Sequence, residues 1–373
     1  MAAMQGVVQY APQPEYAHLL PPSWKSVVQS WLAEDTPSFD WGGYVVGEVE
    51  REAFLLGKGK QAAVLAGVPF VNEVFRVLGC DVQWHMREGD VFEPVARVAT
   101  VRGPARHLLL GERVALNVLA RCSGIATKSR RFRDTARAAG FTGTLAGTRK
   151  TTPGFRLVEK YGMLVGGIDA HRYDLSSMVM LKDNHVWSTG SISSAITTAR
   201  SVAGFSLMID VEVRNEREAD EAIEAGADVV MLDNIEGEAL GVVARRLREK
   251  WRGVRVFKLE TSGGIEDGNL VERAINDIDI LSTSAVHQGV SHVDFSLKLQ
   301  IPGMVVQPQA PAQAQAPAQA QAQASAVVPP TRLAPPKGGV PSRSKQSSRA
   351  PSASAESVDL AAEAAADLEA ELN

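Results

Sequence analysis

The sequence predicts an α/β protein: an α/β barrel of the TIM type, preceded by a separate α+β domain and followed by a disordered low-complexity tail. Three observations predict it. From residue 144 onward, six apolar runs that each end in polar side chains succeed one another, with helical periodicity between most of them. Buried strands alternating with helices imply parallel pairing, which suits a barrel or a doubly wound sheet, and the barrel is preferred. Residues 15–130 lack that rhythm and mix helical with strand-like segments. After Phe295, the last aromatic residue, the composition turns to Ala, Gln, Pro, Ser and charge, which cannot assemble a core.

The elements follow in order. Residues 1–14 read as a flexible N-terminus. The first domain, 15–130, has helical spacing over Trp24–Leu32, strand-like segments at Gly47–Leu56 and Asp81–Trp84, and a long helical pattern over Glu112–Ala138. The barrel domain, 131–300, takes its strands from Leu145–Lys150, Met178–Asn184, Leu207–Val213, Val229–Asn234, Val256–Ser262 and Ile278–Ser284, and its last segment returns to the first domain. Glu216–Ala225 and Leu240–Trp251 are two of the intervening helices. Residues 302–351 carry ten of the nineteen prolines and form a linker or tail. Beyond it, Leu360, Ala364, Leu368 and Leu372 recur every fourth position, so a short helix over 358–373 is expected, either a docking helix or a frayed solubilising end.

Composition excludes several classes. A chain of 373 residues, 45% hydrophobic and 22% charged, can bury a substantial core. Cys80 and Cys122 alone cannot build a disulfide framework and point to a reducing compartment. No apolar stretch approaches the ~18 residues of a spanning helix, and no basic residue precedes Lys25 to start a signal or transit peptide, so a cytoplasmic protein is expected. A net charge of −4 argues for neither nucleic acid nor membrane as a partner. Between residues 121 and 156, however, Asp134 is the single acid of a strongly basic stretch. Lys128, Arg130, Arg131, Arg133 and Arg137 read there as the solvated face of a helix, whereas Arg149 and Lys150 end an apolar strand beside a Gly, Thr and Pro cluster.

In a barrel, the carboxyl ends of the strands share one face, where catalytic groups gather. That face receives Lys150, Lys182, Glu212, Asp233 and Ser262. Arg149, His171 and Arg172 add to the cations, and so many in one mouth repel unless an anion with several negative charges arrives. Two carboxylates at neighbouring strand ends suit a divalent cation or sugar hydroxyls. The combination suggests a phosphorylated sugar handled with magnesium. Ser262-Gly263-Gly264-Ile265 is either a phosphate site of backbone amides opening a helix or a turn that needs positive φ. Blander readings stand beside the others: Lys182 paired with Asp183, Asp233 capping a helix, His171 as a core histidine bonded to backbone. There is neither a P-loop nor a dinucleotide glycine fingerprint, two distant cysteines do not make a zinc site, and Val229–Asp233 lacks the paired acids of the usual phosphoribosyl pyrophosphate loop.

At this point the chain resembles the quinolinate phosphoribosyltransferases. The resemblance rests on Gly111-Glu112-Arg113, Asn117–Thr127, Gly147–Gly154 (GTRKTTPG), Glu159-Lys160-Tyr161 and His171-Arg172. It continues through Lys182-Asp183-Asn184-His185, Leu232-Asp233-Asn234, Ser262-Gly263-Gly264-Ile265 and Asp294–Lys298, and covers about residues 15 to 300. It implies transfer of phosphoribosyl from phosphoribosyl pyrophosphate to quinolinate with loss of the 2-carboxylate, giving nicotinate mononucleotide, pyrophosphate and CO2 in NAD biosynthesis, with Mg2+ required. It implies an open α/β barrel (TIM-like) preceded by an α+β sandwich domain, paired head to tail in a homodimer with shared active sites, and larger assemblies of dimers. Carried over by position, Arg113, Arg149, His171, Arg172 and Lys182 surround quinolinate, with Arg113 supplied by the partner subunit. Lys150 bridges towards pyrophosphate, Glu212 and Asp233 serve ribose hydroxyls and magnesium, and Ser262, Gly263 and Gly264 hold the 5′-phosphate. Ser284 departs from the pattern, because the family places a glycine beside that phosphate; a side chain there either crowds it or adds a donor. The rival enzyme is a transferase for nicotinate without decarboxylation, and the rival class a metabolite sensor or scaffold.

Overall fold

A computed structural model describes residues 15–300; the expected N-terminal arm, the tail and the helix over 358–373 lie outside the described residues. The first part of the chain runs α1 (Trp24–Asp35), α2 (Trp41–Val46), β1 (Glu50–Gly57), β2 (Ala63–Val64), α3 (Val68–Val77), β3 (Asp81–Trp84), β4 (Val91–Phe92), β5 (Ala96–Pro104) and α4 (Ala105–Ala138). The expected strand at Gly47 begins three residues later, because Gly47 has φ +70 and ends α2. The long helix starts seven residues before Glu112, directly after Pro104, whose fixed φ and missing N–H suit a helix entry. Apolar spacing alone did not reveal β5 or α3.

β1 lies between β5 and the segment Phe295–Gln300, antiparallel to both, so the end of the barrel domain does return to the first sheet. β3 extends the sheet beyond β5. Val28, Leu55, Phe70, Phe75, Val101, Leu108 and Leu119 fill the space between sheet and helices, and full burial of such side chains contributes about 1.5–3 kcal/mol each.

α4, about 50 Å long at 1.5 Å per residue, crosses residue 130 without a break. Its first half buries Leu108, Val114 and Leu119 in the first core; its second half buries Ile125, Phe132 and Ala136 in another, with Leu145 and Leu281. The basic residues of this half are not simply a solvated face. Lys128 and Arg131 both grip Asp267, Arg130 reaches the carbonyls of Val165 and Gly166, and Arg137 donates to the Phe141 carbonyl. Only Arg133, paired with the neighbouring Asp134, is held within its own helix. Three of the five cations that the sequence assigned to water, Lys128, Arg130 and Arg131, therefore fasten the helix to the barrel.

The barrel follows as β6 (Thr144–Gly147), α5 (Arg156–Gly166), β7 (Val179–Leu181), α6 (Asp183–Thr189), α7 (Ile192–Ala203), β8 (Ile209–Val213), α8 (Glu216–Glu224), β9 (Val229–Asp233), α9 (Gly237–Lys250), β10 (Lys258–Ser262), α10 (Leu270–Arg273), β11 (Ile280–Thr283) and β12 (Phe295–Gln300). α5 lies unusually close to α4, because a Cβ at Gly162 would sit 2.8 Å from the Cys122 carbonyl and one at Gly166 2.6 Å from that of Ala126. β6 to β11 form one parallel sheet in the order β6-β11-β10-β9-β8-β7. The sheet must curl until its first strand meets its last, which is a barrel and not a doubly wound sheet. Its open seam lies between β6 and β7, where Ala146 makes an isolated parallel bridge to Asp169. No helix among the described residues is long and apolar enough to cross a membrane.

Candidate active site

Along the barrel strands, side chains alternate between the helix layer and the barrel axis. Val211, Val213, Val230, Leu232 and Leu259 pack outward under the helices. The opposite parity gives Met180 and Lys182, Asp210 and Glu212, Met231 and Asp233, Glu260 and Ser262, Ser282 and Ser284. The barrel axis is therefore lined with polar groups that rise to the carboxyl ends of the strands.

Two adjoining cavities open there. One, of ≈ 450 Å³, is lined by Arg149, His171, Arg172, Lys182, Glu212 and Asp233 among others. The second, of ≈ 390 Å³, is lined by Lys150, Ser262, Gly263, Gly264 and Ser284, together with Lys128 and Gln288. Thr148, Lys150 and Ser262–Gly264 face both. Every expected site residue except Arg113 thus meets in one place. Arg113 is exposed on α4 and lines neither cavity.

The Ser262-Gly263-Gly264 turn does not open a helix, because α10 begins only at Leu270. Both glycines have positive φ, +90 and +59, and a Cβ at Gly263 would lie 2.2 Å from Asn234 Oδ1. Turn geometry therefore selects the glycines, and the turn still lines the smaller cavity, where unobstructed amides can meet an anion without a helix dipole.

Lys182 pairs with Glu212 across neighbouring strands and not with Asp183. Asp233 accepts from the Asn234 amide at 2.8 Å, and the residue before α9 is Glu236, so Asp233 caps nothing. His171 sits at φ +53. Its Nδ1 accepts the Arg172 backbone N–H at 2.8 Å, which leaves the proton on Nε2, facing the Glu260 carboxylate at 3.3 Å. That tautomer makes Nε2 a donor to Glu260, and this nitrogen and carboxylate oxygens of Asp210 and Glu260 lie within 4.8 Å of one another. The Asp210 carboxyl is pushed far above its usual range by burial, with Glu260 and Glu212 adding repulsion. Around Arg172, burial and then the Arg149 guanidinium disfavour its charge, while Asp210, Glu212 and Glu260 offset them. The larger cavity is thus a cluster of cations held over a carboxylate floor.

Several residues escaped the sequence reading. Asp210 and Glu260 share the parity of Glu212 and Ser262, and that two-residue spacing would have found them. Lys128 was assigned to a solvated face. Beneath the loop Thr148–Thr152 lies a tier of groups the sequence gave no role. Glu159 accepts from Thr152 N, Thr152 Oγ1 and Arg121, and Arg121 also donates to the His287 carbonyl. His287 Nε2 donates to the Lys150 carbonyl at 3.1 Å. The available signal was a Glu-Lys pair between Val158 and Tyr161, on a helix whose other buried positions are apolar or glycine.

Comparison with known proteins agrees with this geometry. Residues 45–123 match the quinolinate phosphoribosyl transferase N-terminal domain and residues 125–298 the C-terminal domain of the same family. The carboxylating nicotinate-nucleotide pyrophosphorylase of Rattus norvegicus is 49% identical over 293 residues, covering 78% of this chain and 96% of the relative. That of Homo sapiens is 50% identical over 284 residues, covering 76% and 94%. The solved nicotinate-nucleotide pyrophosphorylase of Francisella tularensis superposes with a TM-score of 0.69 at 31% identity, covering 75% of this chain and 98% of that one. With its two-part architecture, its cation-lined barrel mouth and these relatives, the chain belongs to the quinolinate phosphoribosyltransferase family.

Proposed function

We propose that the chain transfers the phosphoribosyl group of phosphoribosyl pyrophosphate to the ring nitrogen of quinolinate and then releases the 2-carboxylate as CO2, forming nicotinate mononucleotide and pyrophosphate for NAD synthesis. The observation that carries this reading is the convergence of Arg149, His171, Arg172 and Lys182 in one cavity beside a second cavity floored by the Ser262–Gly264 turn. Four cationic or donor side chains exceed what a monocarboxylate needs and suit a dicarboxylate. The neighbouring turn suits the 5′-phosphate, with the Ser284 hydroxyl as an added donor.

In the transfer, the ring nitrogen bonds to C1 of the ribose while the C1–oxygen bond breaks, and pyrophosphate leaves with the electron pair. Glu212 and Asp233, at adjacent strand ends, stabilise the positive charge that develops on the ribose, and Lys150 neutralises the leaving group. The ring nitrogen is then cationic. The bond from C2 to its carboxylate breaks, its electrons remain at C2 beside that nitrogen, CO2 departs, and C2 takes up a proton. No covalent nucleophile is required. Fixing two anions in attack geometry can supply ~7–11 kcal/mol in favourable cases.

Glu212 and Asp233 fit magnesium: both are half-buried carboxylates open to the cavity, hard oxygen donors without histidine or cysteine, and too few to form a closed cage. Bound there with water and substrate phosphates, magnesium would supply charge neutralisation at the pyrophosphate. The exposed position of Arg113 supports a homodimer in which each subunit lends this arginine to its partner's site. The buried thiols of Cys80 and Cys122 suit a reducing cytoplasm.

The test is acceptor choice. With phosphoribosyl pyrophosphate and Mg2+, quinolinate should yield nicotinate mononucleotide and CO2, and nicotinate should yield neither product at a comparable rate. Efficient use of nicotinate would move the chain to the non-decarboxylating class, and inactivity with both would favour a sensor or scaffold. For the shared site, mixing Arg113→Ala with Lys182→Ala protein should restore part of the activity through heterodimers. No recovery despite demonstrated subunit exchange would remove Arg113 from the site.

A further inference from the structure

We infer that Lys160 is a positioning residue for the acceptor half of the site: its ammonium ties the backbone before Arg149 to the backbone before His171, so that both cation-bearing loops are held as one unit. The inference deepens the phosphoribosyl-transfer reading and rests on it.

The barrel is open between β6 and β7, and the two acceptor loops flank that seam. Gly147 N donates to the Asp169 carbonyl at 2.9 Å and Asp169 N to that of Leu145 at 2.8 Å, after which the two backbones part. Where they part, Lys160 Nζ donates to the carbonyls of Gly147 and Thr148, both at 3.0 Å, and to that of Ala170. An ammonium has three donors, and here all three meet backbone oxygen. The residue is 3% exposed and lines neither cavity, so water does not share these bonds and the side chain does not touch substrate.

Burying a lysine without a carboxylate partner is costly, and an apolar side chain would fill the same space at lower cost. Its neighbours sharpen the point. Burial first, then Arg156, Arg149 and Arg172, pull the Lys160 pKa down to about 8, while Asp169 pulls the other way. What the lysine provides in return is a bridge between Thr148 and Ala170. Each of these precedes an acceptor-binding group by one position, so a shift of either carbonyl displaces Arg149 or His171 directly. The donor half is fastened separately, through His287 to the Lys150 carbonyl.

The experiment compares full-length wild type with Lys160→Met, a near-isosteric change that removes the three donors. KM for quinolinate and for phosphoribosyl pyrophosphate are measured with CO2 release, and folding is checked by circular dichroism. The quinolinate KM should rise at least tenfold while the phosphoribosyl pyrophosphate KM stays within threefold. A quinolinate KM within twofold of wild type, or an equal rise in both constants, overturns the inference. If Lys160→Met does not fold, Lys160→Gln, which keeps two N–H donors, is read instead: a selective rise of at least fivefold supports the bridge and none overturns it. Wild-type inactivity with quinolinate in the same assay would instead overturn the reading on which the inference rests.

Discussion

Removing the Lys182 ammonium tests the acceptor cavity with little risk to the fold. The Lys182 side chain is 44% exposed, so its pairing with Glu212 at 18% exposure is partly solvated, and such pairs contribute about 0.2–1 kcal/mol to stability. Lys182→Ala should therefore lower the melting temperature by a few degrees at most. Its effect on binding is larger, because a hydrogen bond from an ammonium to a bound carboxylate is worth about 1.5–3 kcal/mol. At about 1.4 kcal/mol per tenfold change, kcat/KM for quinolinate should fall roughly 10- to 150-fold. Freed from Lys182, Glu212 still lines the cavity in its proposed place beside the ribose, so the KM for phosphoribosyl pyrophosphate should change little. Steady-state kinetics at varied quinolinate and saturating phosphoribosyl pyrophosphate, paired with thermal unfolding, give both numbers. A folded variant with kcat/KM within twofold of wild type would refute the placement of Lys182 against the acceptor.

Three further outcomes follow from the same structure. Lys150→Ala and Asp233→Ala should each fold normally yet depress turnover, because both sit at the barrel mouth outside the packed cores; near-normal turnover in a folded variant removes that residue from the mechanism. His287 is fully buried, and burial lowers its pKa to about 4. Between pH 6.5 and 4 the unfolded chain takes up a proton that the fold refuses, so stability should fall as pH drops through that window, by about 3 kcal/mol in all. His287→Gln should show a shallower loss in denaturant titrations across that window, and an identical slope would contradict a neutral buried imidazole. Deleting residues 304–373 should leave both Michaelis constants and the melting temperature unchanged, because the family match ends at residue 298; a several-fold loss of turnover would place the tail in the working enzyme.

The barrel was legible because its signal is local: each strand is an apolar run closed by polar residues, and strand order follows from repetition. The mouth residues were legible for the same reason, since Lys150, Lys182, Glu212, Asp233 and Ser262 stand where apolar runs end. The first domain was harder. β5 and β12 pair with β1 across large sequence separations, and neither is an apolar run of the kind that marks the barrel strands. The supporting tier was harder still. Lys160 acts through bonds to backbone atoms and Glu159 through Thr152 and Arg121, and partners outside the helix leave no trace in its own side-chain pattern. Their burial on an otherwise apolar helix face was the one local hint. The cations of α4 were misread because helical periodicity specifies a face but not what covers it, and Asp267, which binds Lys128 and Arg131, lies more than a hundred residues away.

In the proposed reaction one cavity holds a dicarboxylate acceptor while phosphoribosyl is transferred and one carboxylate is lost. Quinolinate labelled with 13C in its 2-carboxylate, incubated with phosphoribosyl pyrophosphate, Mg2+ and the full chain, tests it most directly. All label should appear in CO2, one equivalent for each nicotinate mononucleotide and pyrophosphate formed. Label retained in a ribosylated product, or CO2 released without pyrophosphate, would contradict it.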